Sequence, residues 1–143
     1  MEPSHVLVPM DGSPLAEEAL AHALAVFDCK VTVLNVITPI DSRLSEGEIL
    51  KIDEERIETA QKRAERLVER ASQQAETKDR EIDIVVETGS PAETILEYAE
   101  THDIDQIVIG SHGSEDNQIA RRLFGTVATA VVGEASVPVT VVR

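Results

Sequence analysis

Two glycine turns hold the residue types that could do chemistry in this chain. In the last third, the apolar run Ile107-Val108-Ile109 stops at Gly110-Ser111-His112-Gly113, and Gly125-Thr126-Val127 follows. At the other end, Val6-Leu7-Val8-Pro9-Met10 stops at Asp11-Gly12-Ser13. Glycine lets a backbone approach an anion closely, and a helix start offers free N–H groups and the positive end of a dipole. That is the chemistry of phosphate capture. Two such turns on one chain predict two walls of one nucleotide crevice. In this arrangement Gly110 and Gly113 bring backbone N–H groups to phosphates. Gly125, Thr126 and Val127 open a helix whose N–H groups and Thr hydroxyl hold the terminal ones.

The elements that must position these turns are legible as five apolar runs separated by helical patterns. His5–Met10 reads as the first strand. Ser13 caps the next helix, with Pro14 at its first position and Glu17 and Glu18 in its first turn. Leu15, Ala19, Leu20, Ala23, Leu24 and Phe27 recur at helix spacing. Lys30–Ile37 is apolar at both parities, as in a strand covered on both faces. A loop over 38–46 leads to a long helix from near Glu46 to Thr77, with Ser45 as its cap. Its buried stripe is Ile49, Ile52, Ile57, Ala60, Ala64, Leu67, Val68 and Ala71, and its charges read mainly as a solvated face with pairs such as Glu58–Lys62. Glu81–Thr88, Gln106–Ile109 and Val137–Val142 are the remaining strands. Helices over Ala92–Thr101 and around Gly125–Gly133 lie between them. The alternation β-α-β-α-β-α-β-α-β implies an α/β fold, a parallel sheet with helices on both faces. Ligands of such sheets bind at the carboxyl ends of the strands, where the strand order reverses.

Composition excludes several classes. The chain has 143 residues, the size of one domain (1–143). Two Phe, one Tyr and no Trp offer no stacking platform for bases, and a net charge of −14 repels phosphate backbones, so no nucleic acid is expected. The excess of acids, with nine Arg against four Lys, reads as halophilic adaptation. One cysteine, Cys29, excludes an internal disulfide and reads as a small hydrophobe at a strand edge. The N-terminus has no signal-peptide pattern and no run is long enough for a membrane span, so a cytoplasmic, membrane-free protein is expected.

Motif by motif, other nucleotide folds fail. No G-x-x-x-x-G-K-[ST] and no G-x-G-x-x-G after the first strand are present. A receiver domain needs an Asp ending strand three and a Lys ending strand five; here those ends read Val86-Glu87-Thr88 and Val142-Arg143. The first loop is too short, and too acidic at Asp11, for a flavodoxin phosphate site. His112 lies in the glycine loop without a Ser/Asp partner pattern, which disfavours a hydrolase. His5, His22 and His102 lack metal spacing. Arg121 and Arg122 read equally as phosphate contacts and as charges balancing nearby acids. Gly12 and Gly113 also read as tight turns, and Asp11 as a cap or Asx-turn.

The chain resembles the universal stress protein family over its whole length. The resemblance is carried by Val8-Pro9-Met10-Asp11-Gly12-Ser13, Val33-Leu34-Asn35-Val36-Ile37, Gly89-Ser90-Pro91-Ala92-Glu93-Thr94-Ile95, Ile107–Gly113, Gly125-Thr126-Val127-Ala128 and Val137–Arg143. It implies a doubly wound five-stranded sheet of order 3-2-1-4-5. It also implies ATP or a related adenine nucleotide held as a switch, with Mg2+ riding on the phosphates and little or no catalysis. Asp11 would accept hydrogen bonds from the adenosine part, and Met10 and Val36 would pack on the adenine or ribose. Pro9, Ile109, Gly110, Gly113, Gly125, Thr126 and Val127 complete the expected site. Gly110 and Gly113 match the ATP-binding signature, but eleven residues (114–124) separate them from Gly125-Thr126, two more than the signature has. Glu115 and Asp116 in that spacer would repel phosphate. The competing expectation is therefore a member that has lost its nucleotide and acts through homodimerisation and partner proteins. In either case the resemblance implies a homodimer through the edge strand Val137–Val142.

Overall fold

The computed structural model describes residues 3–38, 50–111 and 126–143, with 50–57 as backbone only. In chain order the elements are β1 (His5–Pro9), α1 (Pro14–Val26), β2 (Lys30–Ile37), α2 (Leu50–Thr77), β3 (Ile82–Thr88), α3 (Pro91–Thr101), β4 (Gln106–Gly110), α4 (Thr126–Glu134) and β5 (Val139–Val142). The strands form one parallel sheet in the order β3-β2-β1-β4-β5. This is the doubly wound α/β arrangement expected from the alternation. The order reverses at β1, which pairs with β2 through Pro9↔Leu34 and with β4 through Leu7↔Ile107.

Alternation along each strand sends side chains to two separate cores. Val6 and Val8 of β1, with Met10 just beyond its end, join Val31 and Val33 of β2, Val108 of β4, the α1 residues Ala16, Ala19, Leu20, Ala23 and Leu24, and Leu67 and Ala71 of α2. Leu7, Leu34, Ile107 and Ile109 face the other way, onto Ile95, Tyr98 and Ala99 of α3 and Ala128 and Val131 of α4. Burying each such Val, Leu or Ile side chain contributes about 1.5–3 kcal/mol. Strands covered on both faces are apolar at both parities for this reason.

Element ends differ from expectation by a residue or two, with local causes. β5 begins at Val139, not Val137. Pro138 has no N–H to give the ladder, although its carbonyl accepts from Ile107 N at 3.0 Å. β1 ends at Pro9 and β3 begins at Ile82, one residue inside the expected bounds, while β4 runs on to Gly110. α3 starts at Pro91, where proline's fixed φ suits a first turn. Along α2, Ala64, Leu67, Ala71 and Ala75 are buried. Expected features of its beginning (Ser45, Glu46, Ile49) and the side chains of Ile52 and Ile57 lie outside the described residues. Cys29 is half-buried, and burial pushes its thiol pKa up, in keeping with a small hydrophobe. Among the described residues, no helix is long and apolar enough to cross a membrane.

Candidate functional site

The carboxyl end of β1 passes into α1 through one tightly bonded turn. Asp11 Oδ1 accepts from Ser13 N at 2.9 Å, an Asx-turn. Gly12 holds φ +86, a left-handed conformation that a side chain would strain. Ser13 then caps α1, its Oγ accepting from Ala16 N at 3.2 Å, with Pro14 in the first turn. The turn reading of Asp11 and Gly12 is thus the one the local geometry expresses. It leaves Asp11 exposed at the mouth of the sheet's carboxyl end.

Beside this turn lies a recess of about 830 Å³. Its described lining comes from the turn (Asp11 to Leu15), the end of β2 (Asn35 to Thr38) and one side of α2 (Ala60, Arg63, Ala64, Arg66, Leu67 and Arg70). Asn35 is 8% exposed. Its Nδ2 donates to the Met10 carbonyl at 2.9 Å, which fixes the amide so that Oδ1 is the acceptor left over. Arg70 Nη1 donates to Glu17 Oε1 at 3.0 Å, tying the outer wall to α1.

The expected site residues separate into groups. Asp11 and Val36 line the recess. Pro9 closes β1 opposite Leu34. Met10 is 3% exposed and its side chain belongs to the α1–α2 core. Ile109 is likewise in the opposite core. Gly110 is needed for close approach. A Cβ there would sit 2.8 Å from the carbonyl carbon and oxygen of Leu15 and 3.0 Å from Ala16 N, so β4 meets the start of α1 backbone to backbone. The next N–H, that of Ser111, goes to Val142 O at 2.8 Å. Thr126 is exposed at the first position of α4, and Val127 packs on the α3–α4 core. Gly113 and Gly125, with His112, Arg121, Arg122, Glu115 and Asp116, lie outside the described residues.

Sequence reasoning missed Asn35 and the arginine wall of α2. A lone amide inside the apolar run Val33-Leu34-Asn35-Val36-Ile37 was the available signal for the first. The charges of α2 read as a solvated face, and Arg63, Arg66 and Arg70 are indeed exposed, but they border the recess. Among the described residues no group of three or more His, Cys, Asp or Glu could hold a metal ion.

The family model described as "Universal stress protein family" matches residues 3–143. The chain belongs to this family. Universal stress protein MJ0531 of Methanocaldococcus jannaschii is 31% identical over 146 aligned positions, covering 96% of this chain and 81% of that one. The solved universal stress protein UspA from Lactobacillus plantarum superposes with a TM-score of 0.83 at 26% identity, covering 100% of this chain and 99% of the other. A universal stress protein family structure from Arabidopsis thaliana, with AMP bound, shares the fold at a TM-score of 0.69 and 19% identity, over 98% and 91% of the two chains.

Proposed function

We propose that this universal stress protein binds an adenine nucleotide, ATP with Mg2+ on its phosphates, as a regulatory ligand in the recess beside β1. The observation that carries the reading is the recess itself. It opens at the carboxyl ends of β1 and β2 and shares the β1–α1 turn with the switch point between β1 and β4, where doubly wound sheets take their ligands. Its volume suits a nucleotide. A buried amide acceptor and an exposed carboxylate converge on it, beside cationic side chains. The AMP carried by the Arabidopsis family member supports the ligand class. Asp11 in this reading meets the adenosine part, Met10 and Val36 border the base or ribose, and the phosphates go to Gly110, Gly113 and the helix start at Gly125, Thr126 and Val127. The nucleotide in this reading is a switch, with little or no catalysis expected.

The test is mass spectrometry of small molecules released from protein purified without added nucleotide, followed by calorimetry with Mg-ATP. An adenine nucleotide at near-stoichiometric amounts is expected, and Asp11→Ala should weaken adenosine more than inorganic triphosphate. Protein that releases no nucleotide and shows no heat with ATP refutes the proposal and leaves the interaction-module reading.

A further inference from the structure

We infer that Asn35 is a positioning residue for the ligand: through the Met10 carbonyl it sets where Asp11 stands to meet adenosine, an inference that rests on the nucleotide reading. β1 ends at Pro9, opposite Leu34. One residue on, Met10 N still donates to Leu34 O at 2.9 Å. The Met10 carbonyl leaves the ladder. Continuing the parallel pattern would bring the Val36 N–H to it. Asn35 Nδ2 donates to it instead, at 2.9 Å. A side chain of β2 thus holds the end of β1, at the residue where the chain turns away from the sheet.

This bond reaches Asp11 through the peptide unit. The Met10 C=O and the Asp11 N–H belong to one plane, so a donor that fixes the carbonyl also fixes the direction in which the Asp11 Cα leaves β1. The far end of the turn is closed by α1: Asp11 Oδ1 accepts from Ser13 N, and Ser13 Oγ accepts from Ala16 N. Between the two ends stands Gly12 at φ +86, the residue type with the widest choice of backbone conformations. A turn held only at the helix could swing about Gly12. Asn35 removes that freedom from the strand side.

An amide at this position is costly unless it is used. Asn35 stands in the strand run Val33-Leu34-Asn35-Val36-Ile37, where asparagine is disfavoured, and it is more than nine-tenths buried. Among the described residues its side chain makes one hydrogen bond, the one to Met10. A leucine there would bury more apolar surface and leave no polar side chain to satisfy. It could not hold the Met10 carbonyl. Asn35 and Asp11 line the same recess, one from β2 and one from the turn, so the bond acts where the adenosine part is placed.

The experiment measures adenosine, ATP and inorganic tripolyphosphate binding by calorimetry. It uses the wild type, Asn35→Leu, Asp11→Ala and the double variant. Val31→Ala, a buried change at the other end of β2, is the control for core damage. Thermal melts set a temperature at which each variant is folded. Asn35→Asp has the same size and no N–H donor, and replaces Asn35→Leu if that variant does not fold. Asn35→Leu should weaken adenosine and ATP about tenfold, the worth of a hydrogen bond to the Asp11 carboxylate. Tripolyphosphate should stay within about twofold. On top of Asp11→Ala the same change should weaken adenosine by less than about twofold, because its route runs through Asp11. Val31→Ala should lower Tm and leave adenosine affinity within about twofold. Adenosine binding that Asn35→Leu leaves intact overturns this inference and spares the nucleotide reading. So does a loss that is undiminished in the Asp11→Ala background, an equal loss of tripolyphosphate, or an equal loss in Val31→Ala. Wild-type protein that binds neither adenosine nor ATP sinks both.

Discussion

Replacing Arg80 with alanine should be among the most damaging changes to a single polar side chain of this fold. Arg80 follows the end of α2, where Asp79 takes φ 54 and Arg80 N bonds Ala75 O at 2.8 Å. Its guanidinium reaches across to the end of α1. Nη1 donates to Leu24 O at 2.7 Å, and Nη2 donates to Cys29 O at 2.9 Å. Leu24 O is one of the last carbonyls of α1, which the helix itself cannot satisfy, and α1 has no basic residue in its own last turn. A hydrogen bond to a charged group contributes about 1.5–3 kcal/mol. Water reaches this partly buried group, so we discount the pair to about 2–3 kcal/mol in total. For a domain of this size that lowers Tm by about 6–10 °C. Urea unfolding at fixed protein concentration should show a lower midpoint at unchanged slope. Arg80→Lys keeps the charge but not the fork, and should recover about half of the loss. If Arg80→Ala stays within about 0.5 kcal/mol of wild type, the range of an ordinary surface change, the clasp does not matter to stability.

Gly110→Ala should destabilise by about 1–3 kcal/mol, because the new Cβ meets fixed backbone of Leu15 and Ala16; unchanged denaturant stability would show that the two segments can part freely. His5 donates or accepts at 2.7 Å with the buried Thr32 hydroxyl, and burial, followed by the charge of Lys30, holds its pKa below the ordinary value of 6.5. The folded state therefore prefers neutral His5. The associated stability is present above 6.5 and is lost as pH falls through the folded pKa, so His5→Gln should flatten that limb of the stability–pH curve. Hydrogen bonds from Ser4 and His5 hold the Asp105 carboxyl below its ordinary value of 3.8, so its contribution is lost only in more acid solution and Asp105→Asn should alter that separate limb. The open edge of β5 and the charge of −14 make two further expectations: a homodimer by light scattering, and a Tm that rises from about 0.1 to about 3 M KCl; a monomer at every salt concentration, or a Tm that does not rise, would refute them in turn.

The sheet was legible because its information is local. β2 is found at Lys30–Ile37, as its run of apolar residues predicts, and α1 begins where Ser13 and Pro14 predict. The recess was legible only where a turn marks it, at Asp11, Gly12 and the carboxyl ends of the strands. Met10 and Ile109 show the limit: proximity to a turn says nothing about parity, and at both positions the side chain falls on a core face. The wall formed by Arg63, Arg66 and Arg70 was not legible for a different reason. Periodicity identifies the buried stripe of α2, but the side of the helix that borders a recess depends on how β2 and the β1–α1 turn pack against it. Gly110 was marked by its residue type, yet the close approach that demands glycine comes from α1, an element remote in sequence.

The sheet also acts as a partition. Among the described residues the two cores lie on opposite faces of the strands: Val6, Val8, Met10 and Val108 on one side, Leu7, Ile107 and Ile109 on the other. Effects of substitutions on opposite sides should therefore add, since coupling between sites requires shared side-chain contacts or a common backbone shift. The recess lies on the α1–α2 side except at Val36, which also packs on the α3–α4 core. In this architecture the α2 wall of the recess and the far core can vary almost independently, with Val36 and Gly110, where β4 touches α1, as points at which the two are tied.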